Sequence, residues 1–249
     1  MNRFIAKGVH EVVNSTFWAE NPDWSAGNAV SDMALKAFRL LPFSVHEAQK
    51  KMFFSTPDVL AVSGETVVVA HGADEVDKFM FRYPLGLSLE TFRYYAEQEV
   101  RAVTSCLAGI ALQTTVGIER ADIFRFPLSA VDAVTQTQPR LDLALNPPLD
   151  LIQVQDESDS PLRDRTARDV ELLLEKAQDL FDQHAFYPDV ASNSRNVRRN
   201  VQDGSLTLID VMPFYADGTR LIGDKSPSKA PLALRQLKPY EDFIGEFGA

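Results

Sequence analysis

From residue 59 onward, short runs of alternating apolar and polar positions follow one another at 59–62, 66–71 and 76–81. Ser63-Gly64-Glu65 and Gly72-Ala73-Asp74 separate them. Period-two alternation punctuated by glycine turns predicts three strands in an antiparallel meander. In the third run Lys78 stands between Val76 and Met80 and shares their face. If that face points inward, the lysine needs an anionic partner.

The period then lengthens. Ser88 is placed to cap a helix over about 89–107, in which Phe92, Tyr95, Ala96, Val103, Cys106, Leu107 and Ile110 form one apolar stripe. Glu99 falls within the stripe, and Glu97 projects from its side. Two readings of Glu99 follow: it meets Lys78 as an ion pair, or it sits at the stripe's edge and reaches water.

Further strands are expected at 114–118, 123–126, 130–135 and, after Asn146-Pro147-Pro148, at 149–154. An acidic connector at 156–161 leads into a long helix over 162–184, with Val170, Leu173, Leu174, Ala177, Leu180 and Phe181 as its apolar face. Pro188 cannot continue that helix, so the chain turns into the polar stretch 187–196. Runs at 197–201 and 205–211 flank Gln202-Asp203-Gly204, where Asp203-Gly204 signals a tight hairpin turn. Leu206, Leu208 and Asp210 point the same way along the second run. An acid at the end of an apolar face requires a cation, a metal or several donors.

Residues 1–57 read as a mixed N-terminal segment. A helical pattern runs through Val30, Met33, Ala34, Ala37, Leu40 and Leu41, with Asn28 or Ser31 as cap. Trp18 and Trp24 are expected as core or interface anchors. After Met212-Pro213 come a turn at Asp217-Gly218, a Lys/Ser/Pro linker over 225–231 and a short C-terminal segment.

Composition narrows the function classes. The chain has 249 residues, 45% hydrophobic and 24% charged, which suits a globular protein with a sizeable core. Its net charge of −10 argues against a protein that coats nucleic acid or an anionic membrane. A lone cysteine, Cys106, excludes an internal disulfide framework and fits a reducing compartment. No signal-peptide pattern follows Met1 and no apolar run spans a bilayer, so a cytoplasmic protein is expected. His10, His46, His71 and His184 lack metal-ligand spacing. Arg195, Arg198 and Arg199 either meet phosphate or an acidic partner, or form a solvated hairpin face.

The order of strands with Lys78, a helix with Glu99, more strands, a long helix, an Asp/Asn loop, a hairpin and Asp210 resembles the protein-kinase-like fold. It is most similar to small bacterial kinase-like proteins that keep the nucleotide site and lack most of the helical lobe. The resemblance implies an α+β fold with an antiparallel-sheet N-lobe over 58–155 and a reduced helical C-lobe over 156–249, preceded by the segment 1–57. It further implies ATP and Mg²⁺ or Mn²⁺ as cofactors. By position, Lys78 would hold the α/β-phosphates beneath a loop at Gly64, and Glu99 would hold Lys78. Asp189 would orient a hydroxyl nucleophile, Asp210 would be the main metal ligand, and Asn193 or Asn196 a second one. The implied function is nucleotide binding, either in a weak ATP-dependent phosphotransferase or in a regulatory pseudokinase or scaffold module that has a protein partner and no catalysis. Three departures stand out. The first turn has a single glycine, Gly64; Tyr187-Pro188 precedes Asp189; and Val211-Met212 follows Asp210.

Overall fold

The structure is a computed structural model that describes residues 58–62, 66–80, 88–122, 131–157, 160–184, 186–190, 196–215 and 230–247. The expectations for 1–57, the Gly64 turn, 123–126, Asn193, Arg195, Asp217-Gly218 and 225–229 lie outside the described residues. The described chain falls into two compact units. The first takes the residues up to Tyr94 together with Val116–Gln138, and the second takes Tyr95–Thr115 and the residues from Pro139 onward.

The first unit is a five-stranded antiparallel sheet of β1 (Val59–Val62), β2 (Thr66–His71), β3 (Glu75–Met80), β4 (Thr115–Ala121) and β5 (Val131–Pro139), in the order β1-β2-β3-β5-β4. The meander expected from the alternation is there, with β2 antiparallel to both β1 and β3. Val67 faces Phe79, Val68 faces Lys78 and Val69 faces Asp77. Because side chains alternate, Val67, Val69, Phe79 and Asp77 share one buried face, while Lys78 lies half-buried on the other with buried Val76. Asp77 is kept on its apolar face by two short contacts. His71 Nδ1 lies 2.6 Å from one carboxylate oxygen, and the Thr137 hydroxyl donates to the other at 2.6 Å. The carboxylate thereby ties together β2, β3 and β5.

Helix α1 (Leu89–Cys106) starts in the first unit and ends in the second. The Ser88 hydroxyl accepts the Thr91 amide at 3.1 Å, as its capping position predicts. The buried stripe runs through Phe92, Ala96, Glu99, Val100 and Val103 and on to Leu107. Tyr95, expected inside it, is exposed, and Cys106 is only half-buried. Spacings of four, seven, eight and eleven from Phe92 rotate the face away from Tyr95 at spacing three, which leaves Tyr95 at its edge.

The second unit adds α2 (Leu151–Asp156), α3 (Pro161–His184), β6 (Phe186–Pro188), β7 (Val197–Arg199), β8 (Leu206–Leu208), β9 (Pro213–Tyr215) and α4 (Ala230–Phe247). The strand expected at 149–154 is instead helix α2. Leu-Ile-Gln-Val has strand-like composition, but the Asp150 carboxylate accepts the amides of Ile152 and Gln153, each at 3.1 Å, and this N-cap decides the local conformation. Helix α3 begins with Pro161 after Ser160, whose hydroxyl accepts the Arg163 amide at 3.2 Å. Val170, Leu173, Ala177 and Leu180 are buried as the period requires, with Leu174 and Phe181 half-buried at the rim. The C-terminal segment, expected to be short, is an 18-residue helix.

Strands β7 and β8 pair antiparallel, Val197 with Leu208 and Arg199 with Leu206. They are shorter than the alternation suggested, because polar side chains take over the turn. Asn200 Oδ1 accepts the Gln202 amide at 2.8 Å and Asp203 Oδ1 accepts the Ser205 amide at 2.9 Å. The connection is therefore longer than a two-residue turn, with Gly204 at φ +74°. A Cβ on Gly204 would lie 2.2 Å from the Leu162 carbonyl oxygen, so only glycine fits this close approach to α3. On its flanks, β7 exchanges backbone bonds with Pro147 and Leu149, and β8 with Ile110 and Leu112. The whole is an α+β fold with four helices among the described residues. No helix among them is long and apolar enough to cross a membrane.

Candidate functional site

The open end of the β7–β8 hairpin is where the acidic and amide positions of the sequence gather. Strand β6 follows α3 almost directly, with Tyr187 stacked on Phe181 at a centroid distance of 4.8 Å. It pairs antiparallel with β9, Pro188 opposite Pro213. That register sets Asp189, just past β6, beside Met212, just before β9.

Asp189 is 3% exposed, and the Val190 amide closes a tight bend onto the Pro188 carbonyl at 3.0 Å. The Asn196 side-chain amide donates to the Asp189 carbonyl at 3.3 Å. The Asn196 carbonyl in turn accepts the Ile209 amide at 2.9 Å, which brings Asp210, the next residue, to the same end of the hairpin. Asp210 is half-buried and its Oδ1 accepts the Met212 amide at 3.2 Å. Three sequence candidates separated by up to 21 positions thus share one neighbourhood of the second unit.

One participant was missed in the sequence. Tyr240 of α4, buried, donates its hydroxyl to the Val190 carbonyl at 2.9 Å. Burial pushes its phenol well above the ordinary tyrosine range, and the Asp189 charge adds to the effect. The spacing of Leu237, Tyr240 and Phe243, all buried, is the helical signal that would have pointed to it.

Lys78 belongs to the sheet unit and Glu99 to the second. Glu99 is 5% exposed, in line with the inward reading of its stripe. Gly64 and Asn193 lie outside the described residues. Of the two readings of Arg199, the acidic partner is the one seen, and it lies within the chain. Its guanidinium forms a two-pronged pair with Glu157, one prong at 2.7 Å, and its Nε donates to the Thr166 hydroxyl at 2.8 Å. The hydrogen bond from Arg199 holds the Glu157 carboxyl below the usual range, against the smaller opposing effect of burial.

Elsewhere the titratable groups offer less. Cys106 Sγ lies 3.5 Å from the Lys176 carbonyl, and burial pushes its thiol up, away from thiolate chemistry. A cavity of about 300 Å³ lies along α1, lined by Tyr95, Gln98, Glu99, Ala102, His184 and Phe186. None of Asp189, Asn196 and Asp210 borders it.

Among the described residues no three His, Cys, Asp or Glu side chains gather to hold a metal. The donor set at the hairpin end is two carboxylates and one amide. Oxygen donors in that number do not cage a metal. They fit Mg²⁺, which keeps waters and takes its remaining ligands from phosphate oxygens.

No protein-family model matches the chain, and no curated protein matches it in sequence.

Proposed function

We propose that this chain is a kinase-like nucleotide-binding protein that takes ATP together with Mg²⁺ or Mn²⁺. The observation that carries the reading is the convergence of Asp189, Asn196 and Asp210 through the Asn196 side chain and the Ile209–Asn196 backbone bond. An acid before the hairpin, an amide at its entry and an acid at its exit are the parts that a metal-bound polyphosphate needs. In this reading Asp210 carries the metal. The Asn196 Nδ2 bond to Asp189 orients the amide so that Oδ1 is the atom to meet the metal as well. Lys78, on the central strand of the sheet unit, has the phosphate-holding role from the resemblance alone. The bound metal would neutralise the charge of the phosphates, and the chain's own residues would hold and align them.

The test is thermal unfolding of the wild-type protein with ATP plus Mg²⁺ or Mn²⁺. Ligand at a hundredfold excess over its Kd adds about 2.7 kcal/mol to stability and raises Tm accordingly. No shift at millimolar nucleotide overturns the reading.

The burial of Asp189 favours a second reading within the same fold, a regulatory pseudokinase or scaffold module without catalysis. A base for phosphoryl transfer must come within hydrogen-bond reach of a hydroxyl, and a carboxylate at 3% exposure offers little surface to one. In that case nucleotide binds without transfer, or a protein partner still binds the Lys78→Ala, Asp210→Asn double variant in a pull-down.

A further inference from the structure

Two consecutive backbone carbonyls of the acidic loop are each held by a side chain distant in sequence, one from the loop's far end and one from the C-terminal helix. Asn196 bonds the Asp189 carbonyl at 3.3 Å, and Tyr240, from the C-terminal helix, bonds the Val190 carbonyl at 2.9 Å. Neither bond uses the Asp189 carboxylate. They fix the two peptide planes on either side of the Val190 Cα, and the first of these planes borders the Asp189 Cα, from which the Asp189 side chain leaves the main chain. Val190 is fully buried and Tyr240 nearly so, so water does not stand in for the hydroxyl if it is lost. Around the phenol, the charge of Asp189 is the one that acts on it, so the ring and the acid are electrostatic neighbours as well as backbone-linked ones.

We infer that Tyr240 is a positioning residue for Asp189, and that the C-terminal helix α4 is thereby part of the nucleotide-metal site. The inference rests on the function proposed above and adds a residue that the resemblance does not assign. Its chemistry is simple. The hydroxyl donates one buried hydrogen bond, the aromatic ring packs α4 against the loop, and loosening the bond lets Asp189 and Asn196 drift out of register with Asp210. Metal-dependent binding then weakens more than binding of the nucleotide alone, because a metal site tolerates misplaced ligands poorly.

The experiment compares wild type with Tyr240→Phe, which removes one oxygen and keeps the ring, and with Lys238→Ala as a control. Lys238 sits on the same helix in an exposed i,i+4 pair with Asp242. The first readout is amide hydrogen exchange of the apo protein. Y240F is expected to speed exchange of the Tyr187, Asp189 and Val190 amides by several-fold up to about tenfold, the equivalent of one buried hydrogen bond. The amides of β7 and β8 should stay unchanged, and K238A should match wild type. The second readout is the ratio of ADP affinities with and without Mn²⁺, expected to fall several-fold in Y240F.

Unchanged exchange of the Tyr187, Asp189 and Val190 amides overturns the positioning role. Equal loss of protection in β7 and β8 does so too, since it makes the bond one of global stability. If wild type shows no metal-dependent nucleotide binding, the proposed function fails and with it the extension of the site to α4, while exchange still reports on the loop alone. Metal coupling that survives in Y240F, with the loop loosened, overturns the link between α4 and the metal.

Discussion

The two ends of the β7–β8 hairpin use their polar residues in opposite ways. At the turn end, side chains consume one another. Arg199 pairs with Glu157 and bonds Thr166, and Thr166 donates to the Gly204 carbonyl at 2.8 Å. Asp169 accepts the Leu206 amide at 2.9 Å and pairs with Arg165 at 3.0 Å. At the open end the loop is held through its main chain instead. Asn196 and Tyr240 bond carbonyls, and the Asp189 carboxylate is not the atom they use. A polar cluster whose charged atoms are spent on its neighbours stabilises the fold. One end of the hairpin is tied by side chain to side chain, the other by side chain to main chain.

The largest expected effect lies at the turn. Gly204→Ala combines a positive φ with a 2.2 Å approach to the Leu162 carbonyl oxygen, and should cost about 3 kcal/mol or more in urea unfolding. A loss under about 1 kcal/mol would break the account of how α3 and the hairpin pack.

Next comes Arg199→Met, expected to cost about 2 kcal/mol because the Arg199–Glu157 pair is mostly but not fully shielded. It also has a pH signature. The folded-state pKa of Glu157 is depressed, so its contribution is present above the ordinary value of 4.5 and is lost as pH falls through the folded pKa. R199M should therefore flatten that acid limb of the stability curve. An acid limb identical to wild type would remove the pair from the ledger of structural contacts.

Asp210→Asn tests the open end. It should leave apo stability within about 1 kcal/mol, since Asn keeps a side-chain oxygen that can accept the Met212 amide. The metal-dependent part of nucleotide stabilisation should disappear. Asp189→Ala should keep binding and abolish any transfer to a hydroxyl. Transfer surviving in both variants would refute the roles assigned to the two acids.

The smallest effect is in the sheet unit. The Asp77 carboxylate, by hydrogen bond first and charge second, raises the His71 pKa above 6.5. The sign follows from the shift: the contribution is fully present below 6.5 and fades as pH rises through the folded value. An NMR titration should find His71 above the ordinary value in wild type and close to it in Asp77→Asn. An unshifted wild-type imidazole would contradict the contact.

Much of the secondary structure was legible because its causes are local. The cap at Ser88, the Pro161 start of α3, the alternation of β1 to β3 and the glycine after Asp203 are written in adjacent residues. The misreadings share a cause. At 149–154 apolar composition pointed to a strand, and a single capping carboxylate on Asp150 outweighed it. Tyr95 satisfied the helical period, but the period does not say where the buried face is centred. For Arg199 the sequence left an acidic partner and a solvated face both open, because the partner, Glu157, is 42 positions away.

The chain by itself determined which residue types stand at Lys78, Glu99, Asp189, Asn196 and Asp210, and it placed each on or beside its element. It left open which asparagine joins the acids; Asn196 is bonded to Asp189 by a contact between side chain and carbonyl that no spacing rule contains, and Asn193 lies outside the described residues. Tertiary structure alone decided that α4 reaches the loop through Tyr240, that Thr166 and Arg199 spend their polar atoms on the turn, and that Asp189 is buried. Local propensity acts over a few residues, whereas burial and hydrogen-bond partners are settled only when distant segments pack and each buried polar group has to find an acceptor or donor.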